Sequence, residues 1–112
     1  MPPKSERTID VSLPLEQASA LAKQVLWSIR ANISPLDPKP GIILAKTGFS
    51  WRSDGEDIRV TVTSMGGSSR VHIQSQSSRN SVLIDWGKNA ENVRRFEQGL
   101  LPLANSARDS RS

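Results

Sequence analysis

The sequence has no cysteine, no tyrosine and only one histidine among its 112 residues. Without cysteine, disulfide bonds, thiolate metal centres, iron–sulfur clusters and thiol nucleophiles are all excluded. A single histidine cannot supply an imidazole metal cluster. No apolar run approaches the roughly 18 residues that a membrane-spanning helix requires. We therefore expect a protein with no metal, no other cofactor and no transmembrane segment.

Aromatic residues are also scarce, at 4% of the chain, which leaves a core made mainly of aliphatic side chains. A chain of this length forms one domain and buries about two-thirds of the surface that its unfolded state exposes. Its polar beginning, with two prolines and no apolar segment, differs from a secretory signal peptide. These features predict a soluble cytoplasmic protein.

The spacing of the apolar residues divides the chain into three segments. Residues 8–103 carry the regularly spaced apolar side chains and are expected to form the single domain. Residues 1–7 are polar and are expected to form a flexible N-terminal arm. Residues 104–112 have almost nothing to bury, and we expect them to form a disordered C-terminal tail.

Two amphipathic helices are predicted within the domain. The first follows a strand at 9–13, begins near Pro14 and ends near Asn32. The second is expected after Asn89, which is a favourable N-cap residue, and Pro102 is expected to end it. Each helix has one apolar side, so both helices can cover the same face of a sheet.

Three alternating strands, at 42–52, 58–63 and 71–76, lie between the helices and are joined by hairpin turns. The apolar run at 82–84 is either a short last strand or a buried lead-in to the second helix. Hairpin-linked strands form an antiparallel sheet. The sequence therefore predicts a two-layer α+β domain, with an antiparallel sheet of four or five strands and two helices on one face.

Pairing the strands about their turns separates an inward apolar face from an outward polar one. This pairing places Thr47 opposite Val62 and Val62 opposite Ile73, so that Phe49 and Trp51 point inward. The outward face is basic and low in acids, which makes it a candidate surface for nucleic acid or phospholipid headgroups. An ordinary solvated sheet face is the alternative. With one lysine added from the start of the second helix, the candidate anion-binding residues are Lys46, Arg52, Arg59, Arg70, His72 and Lys88.

The net charge supports the anion-binding interpretation of this face only weakly. Lys and Arg number 15 against 11 Asp and Glu, for a net charge of +4. An excess of this size permits binding to a polyanion but does not require it.

Three tryptophans form a second candidate site. Trp27 extends the apolar stripe of the first helix, Trp51 occupies an inward strand position, and Trp86 directly precedes the second helix. Together they can line an apolar pocket between the helices and the sheet, where a small apolar ligand would bind. Aromatic residues of this kind can equally fill the core.

Motifs for catalysis or metal binding are absent from the sequence. His72 and Asp85 belong to no serine-hydrolase motif, because the chain has no G-x-S-x-G elbow. The acids of Asp54-Gly55-Glu56-Asp57 lack the ligand spacing of a calcium loop. Gly66-Gly67 lies between two strands, without the lysine and the helix of a phosphate-binding loop. We therefore expect a protein that is not an enzyme.

The string Ile84-Asp85-Trp86-Gly87-Lys88-Asn89, with Asn92-Val93 one turn later, resembles small uncharacterised bacterial α+β domains. The order of the predicted elements is similar to that of helix-grip and TATA-binding-protein-like modules. Larger helix-grip proteins, of the START and Bet v 1-like type, bind lipids in a cavity. The resemblance therefore implies binding rather than catalysis.

Three functions remain open from the sequence alone. The first is a non-catalytic binding or interaction module that uses its sheet face or edge strands, either as a homodimer or with another protein. The second is weak binding of nucleic acid or another polyanion by the basic face. The third is a carrier of a small apolar ligand near the tryptophans.

Overall fold

The computed structural model describes residues 4–48, 55–77 and 87–111, with side chains as far as residue 108. Five strands and two helices follow one another along the chain. In order, they are β1 (Lys4–Val11), α1 (Leu15–Ser28), β2 (Asn32–Ile33), β3 (Ile42–Thr47), β4 (Glu56–Ser64), β5 (Ser69–Ser77) and α2 (Lys88–Arg111).

The five strands form one antiparallel sheet in the order β1-β5-β4-β3-β2. The first strand, β1, therefore lies beside β5, although α1 and three strands separate the two in sequence. Both helices contribute to a single core on one face of the sheet, which confirms the predicted two-layer α+β fold. The described fifth strand is β2, whereas the apolar run at 82–84 lies outside the described residues.

The core follows the alternation of the strands and the apolar stripes of the helices. In β4 from Glu56 to Val62, and along the whole of β5, every second residue is buried, because successive strand residues point to opposite faces. The largest buried apolar side chain among the described residues is Phe96 of α2. Around it lie aliphatic side chains from the sheet and from α1, including Ile43, Ile58, Val60, Ile73, Val25 and Leu26.

The strand register differs from the predicted one, although the inward and outward faces do not. Thr47 lies opposite Glu56, not Val62, and Val62 lies opposite Val71, not Ile73. Both displacements are an even number of residues along a strand, so the described side chains that were predicted inward remain inward, whereas Phe49 and Trp51 lie outside the described residues. The described pairing of β3 with β4 ends at Thr47 and Glu56, and residues 49–54 between them lie outside the described residues.

The N-terminal boundary of the domain also differs from the expected one. The residues from Lys4 to Arg7, expected in a flexible arm, belong to β1 and pair with residues of β5. Backbone hydrogen bonds to a neighbouring strand do not require apolar side chains, so polar residues can extend the sheet here. Arg7 also forms an ion pair with Glu97 of α2.

The C-terminal helix is longer than expected and passes through Pro102. Residues 104–111, expected in a disordered tail, continue α2, in which Ala104 is buried and Ala107 packs against the core. Pro102 is exposed, so the carbonyl group that loses its helical hydrogen-bond donor can be hydrated. Apolar burial on both sides of the proline therefore holds the helix together.

Candidate functional site

The predicted basic face is solvent-exposed, but its charges are largely paired. Lys46 Nζ lies 3.0 Å from a carboxylate oxygen of Asp57 on the neighbouring strand. Arg70 donates a hydrogen bond of 2.9 Å to Asp10 of β1. This hydrogen bond and the positive charge of Arg70 hold the pKa of the Asp10 carboxyl below its ordinary value.

His72 is also surrounded by residues of β1. Its Nδ1 lies 2.9 Å from the hydroxyl of Thr8, and its Nε2 lies 3.0 Å from a carboxylate oxygen of Glu6. Arg59 forms no ion pair with any residue of the described ranges. The carboxylates of β1 therefore make this face a mixed surface, because β1 is the neighbour of β5.

The remaining two candidate anion-binding residues are Arg52 and Lys88. Arg52 lies outside the described residues. Lys88 is the first residue of α2 and lines a cleft at the end of the core. Among the described candidates, Lys46, Arg59, Arg70 and His72 therefore share the exposed sheet face, whereas Lys88 lies apart from them.

Trp27 lies on the solvent side of α1, where it is 72% exposed, rather than between the helices and the sheet as predicted. The buried side of α1 carries Ala18, Ala22, Val25 and Leu26, and Trp27 falls outside that stripe. Trp51 and Trp86 lie outside the described residues. Trp27 itself lies in the wall of an open groove on the outside of α1.

This groove, which we call the Trp27 groove, lies between α1 and the segment that begins at β2. Its volume is about 480 Å³. One wall is formed by Trp27 together with Ala20, Lys23 and Gln24, which lie seven, four and three positions before it and so share its side of the helix. The complete lining is Ala20, Lys23, Gln24, Trp27, Ile33, Ser34 and Pro35.

A second feature, which we did not predict from the sequence, is a set of polar side chains between α2 and the sheet, most of them buried. Asn89 is fully buried, and it is not an N-cap because the helix already begins at Lys88. Its Oδ1 accepts a hydrogen bond of 2.8 Å from Ser75, and its Nδ2 donates one of 3.1 Å to Ser77. Asn89 therefore ties the start of α2 to the end of β5.

Asn92 extends this arrangement by one helical turn. Its Nδ2 lies 3.1 Å from the hydroxyl of Thr47, 3.1 Å from that of Ser75 and 3.3 Å from Glu56 Oε1. The hydroxyl of Thr47 also donates to Glu56 Oε1 at 3.1 Å. We call these side chains the polar cluster, and its members are Thr47, Glu56, Ser75, Ser77, Asn89 and Asn92.

A cleft of about 230 Å³ adjoins the polar cluster. It lies where the end of α1, the ends of β3 and β4, and the first turns of α2 meet. We call it the polar cleft, and its lining residues are Ile29, Arg30, Thr47, Gly48, Glu56, Lys88, Glu91, Asn92 and Arg95.

One signal in the sequence pointed to this cluster. The inward positions of β5 change from Val71 and Ile73 to Ser75 and Ser77, and all four side chains are buried. Inward serines require hydrogen-bond partners. The identity of those partners depended on the placement of α2, which the sequence pattern does not show.

Metal ligation and membrane insertion find no support in the described part of the chain. Within 4–48, 55–77 and 87–111, no group of three or more His, Asp or Glu side chains is placed to hold a metal ion. None of the helices in these ranges is both long and apolar enough to cross a membrane.

Comparisons with known proteins relate this chain to others by its fold. No family model matches the sequence, and no curated protein matches it. A solved structure described as a START superfamily protein from Mycobacterium smegmatis is similar, with a TM-score of 0.56 and 9% sequence identity. The similarity covers 93% of this chain and 98% of that chain. It shows a helix-grip-like fold, in agreement with the topology expected from the sequence.

Proposed function

We propose that the protein is a non-catalytic binding module, and that the Trp27 groove holds an apolar or aromatic part of its ligand. The supporting observation is the 72% exposure of the Trp27 side chain beside a groove of about 480 Å³. Exposed large apolar groups beside a concave surface are typical of binding sites. The indole ring offers a flat surface on which another ring or an alkyl chain can pack.

The lining of the groove indicates the class of ligand. Ile33 and Pro35 face the tryptophan wall with apolar surface, while Lys23 and Gln24 bring polar groups. The Lys23 ammonium is already 3.2 Å from the carboxylate of Asp37, so its charge is partly neutralised. This combination suits a small amphipathic molecule with an apolar body and one polar end.

Binding of nucleic acid is the less favoured candidate. Affinity for a polyanion comes from cations that exchange counterions for phosphates. On the exposed sheet face, Lys46, Arg70 and His72 each lie within about 3 Å of a carboxylate. A phosphate would have to compete with these carboxylates.

The proposal is tested by titrating the protein with decanoate and with the fluorescent probe 1-anilinonaphthalene-8-sulfonate. We expect saturable binding that moves the amide resonances of Lys23, Trp27 and Ile33. Trp27→Ala should weaken it by roughly 2 kcal/mol, or about thirtyfold, because the largest apolar wall is removed. Met65→Ala is the matched control, since Met65 is an exposed apolar residue on the β4–β5 turn.

Equal affinity of the wild-type protein and Trp27→Ala would contradict the proposal. So would an equal loss in both variants, which would indicate general adsorption to apolar surface. Binding of a single-stranded oligonucleotide that weakens steeply with salt, without binding of either apolar probe, would favour the polyanion candidate instead.

A further inference from the structure

We infer that the polar cleft is a second binding site, separate from the Trp27 groove, for a small zwitterion whose ammonium group pairs with Glu56. The reasoning begins with the burial of this carboxylate. Glu56 is the first residue of β4 and is only 6% exposed. A buried carboxylate is costly to stability unless a cation or several hydrogen bonds compensate for it.

Hydrogen bonds from the described residues reach only one of the two carboxylate oxygens, and the other is not fully buried but accessible from the cleft. Both hydrogen bonds to Glu56, from Thr47 and Asn92, are directed to Oε1. No described residue donates to Oε2, and no described cation lies within ion-pair distance of either oxygen. An ammonium group in the cleft would supply the missing positive charge and a donor to Oε2.

Gly48 keeps the backbone close to this carboxylate. A Cβ atom at this position would lie 3.0 Å from Oε1 and 3.2 Å from Oε2 of Glu56. The backbone of Gly48 also has a φ of +67°, which glycine adopts without strain. Any larger residue would crowd the carboxylate, so glycine leaves space around it.

The rim of the cleft carries positive charge, opposite to that of Glu56. Arg30 and Lys88 both line the cleft, and neither forms an ion pair with a described residue. Arg95 is different, because it lies 2.8 Å from Glu91. Two cations without carboxylate partners beside a buried carboxylate would repel a simple cation, but they would attract the carboxylate of a zwitterion.

The cleft therefore presents a negative group below and positive groups at its rim. A molecule with an ammonium group at one end and a carboxylate at the other end complements both. The volume of about 230 Å³ restricts the ligand to the size of a free amino acid or an ω-amino acid.

The test is an amide NMR titration with ω-amino acids of increasing length, from glycine to 6-aminohexanoate, at millimolar concentration. We expect at least one member to move the resonances of Gly48, Glu56 and Asn92. Glu56→Gln keeps the size of the side chain and removes its charge, and it should weaken binding at least tenfold. Asp57→Asn is the matched control, because Asp57 is the next residue of β4 and faces the exposed side of the sheet.

The rim is tested by Lys88→Gln and by butylamine, which lacks the carboxylate. Lys88→Gln should weaken binding of the zwitterion but strengthen that of butylamine, because the variant loses one of the charges that repel a simple cation. Circular dichroism of each variant establishes that it is folded.

The inference is overturned if no amino acid of the series moves these resonances, or if Glu56→Gln binds as well as the wild-type protein. Failure here leaves the Trp27 groove unaffected, because the two sites share no lining residue.

Discussion

Replacement of Gly99 by alanine tests how closely the two helices approach each other. Gly99 lies in α2 and faces Val25 of α1. A Cβ atom at position 99 would lie 2.9 Å from Val25 Cγ1, which is closer than side chains pack. Val25 is 1% exposed and β-branched, so its side chain cannot rotate away without disturbing the core.

The two contributions to stability oppose each other. Alanine in a helix interior is favoured over glycine by about 1 kcal/mol. Inserting an extra methyl group into a packed core costs about 1–3 kcal/mol. We therefore expect Gly99→Ala to lower the free energy of unfolding by about 1 kcal/mol, against the helix propensity.

The effect of Gly99→Ala on the free energy of unfolding should change sign when Val25 is shortened. Val25→Ala alone should cost about 2 kcal/mol, from two lost methyl groups and the resulting cavity. In that background, the nearest side-chain atom to the new Cβ is the Cβ of residue 25, at 3.9 Å. This is an ordinary contact, so Gly99→Ala should then stabilise the protein by about 1 kcal/mol.

Urea unfolding of the four proteins, followed by circular dichroism, measures this coupling. The m-values should agree among the proteins, so that differences in midpoint report stability. If Gly99→Ala stabilises the wild-type protein and the Val25→Ala protein equally, the helices do not meet closely at this position and the reasoning is refuted.

Two other expected outcomes concern the polar cluster and the exposed sheet face. Asn89→Ala should lower the free energy of unfolding by about 2 kcal/mol because Ser75 and Ser77 lose buried partners, whereas Asn105→Ala, exposed on the same helix, should change it by less than about 0.5 kcal/mol. Equal effects would show that Asn89 is not buried. The pKa of Asp10, measured by NMR titration, should lie below 3.8 and return toward it in Arg70→Gln. Since the folded-state pKa is the lower one, this pair stabilises the protein above about pH 4 and ceases to do so as the pH falls through the folded pKa. An Asp10 pKa that is the same in both proteins would contradict the pairing.

The proposed sites were only partly accessible from the sequence. Trp27 and Lys88 were recognised as candidates, and Trp27 lines a groove while Lys88 lines a cleft. Glu56 was interpreted as one of several acids in a turn. It is instead buried at the start of β4, where it lies opposite Thr47 of β3.

The sequence by itself determined both helices, four of the five described strands and the faces of the sheet. Alternation in β4 and β5 is a local property with a period of two residues, so Arg59, Arg70 and His72 were correctly placed outward. Even the displaced register preserved this result, since each displacement was an even number of residues.

The tertiary structure decided which distant segments meet. No hairpin connects β1 to β5, so local patterns could not show that Asp10 and Glu6 would neutralise the basic residues of β5. The orientation of the Asn89 side chain likewise depends on what α2 packs against. So does the continuation of this helix beyond Pro102. Local sequence specifies the spacing of side chains along one element, whereas contacts between elements are set by the burial available once all of them have assembled.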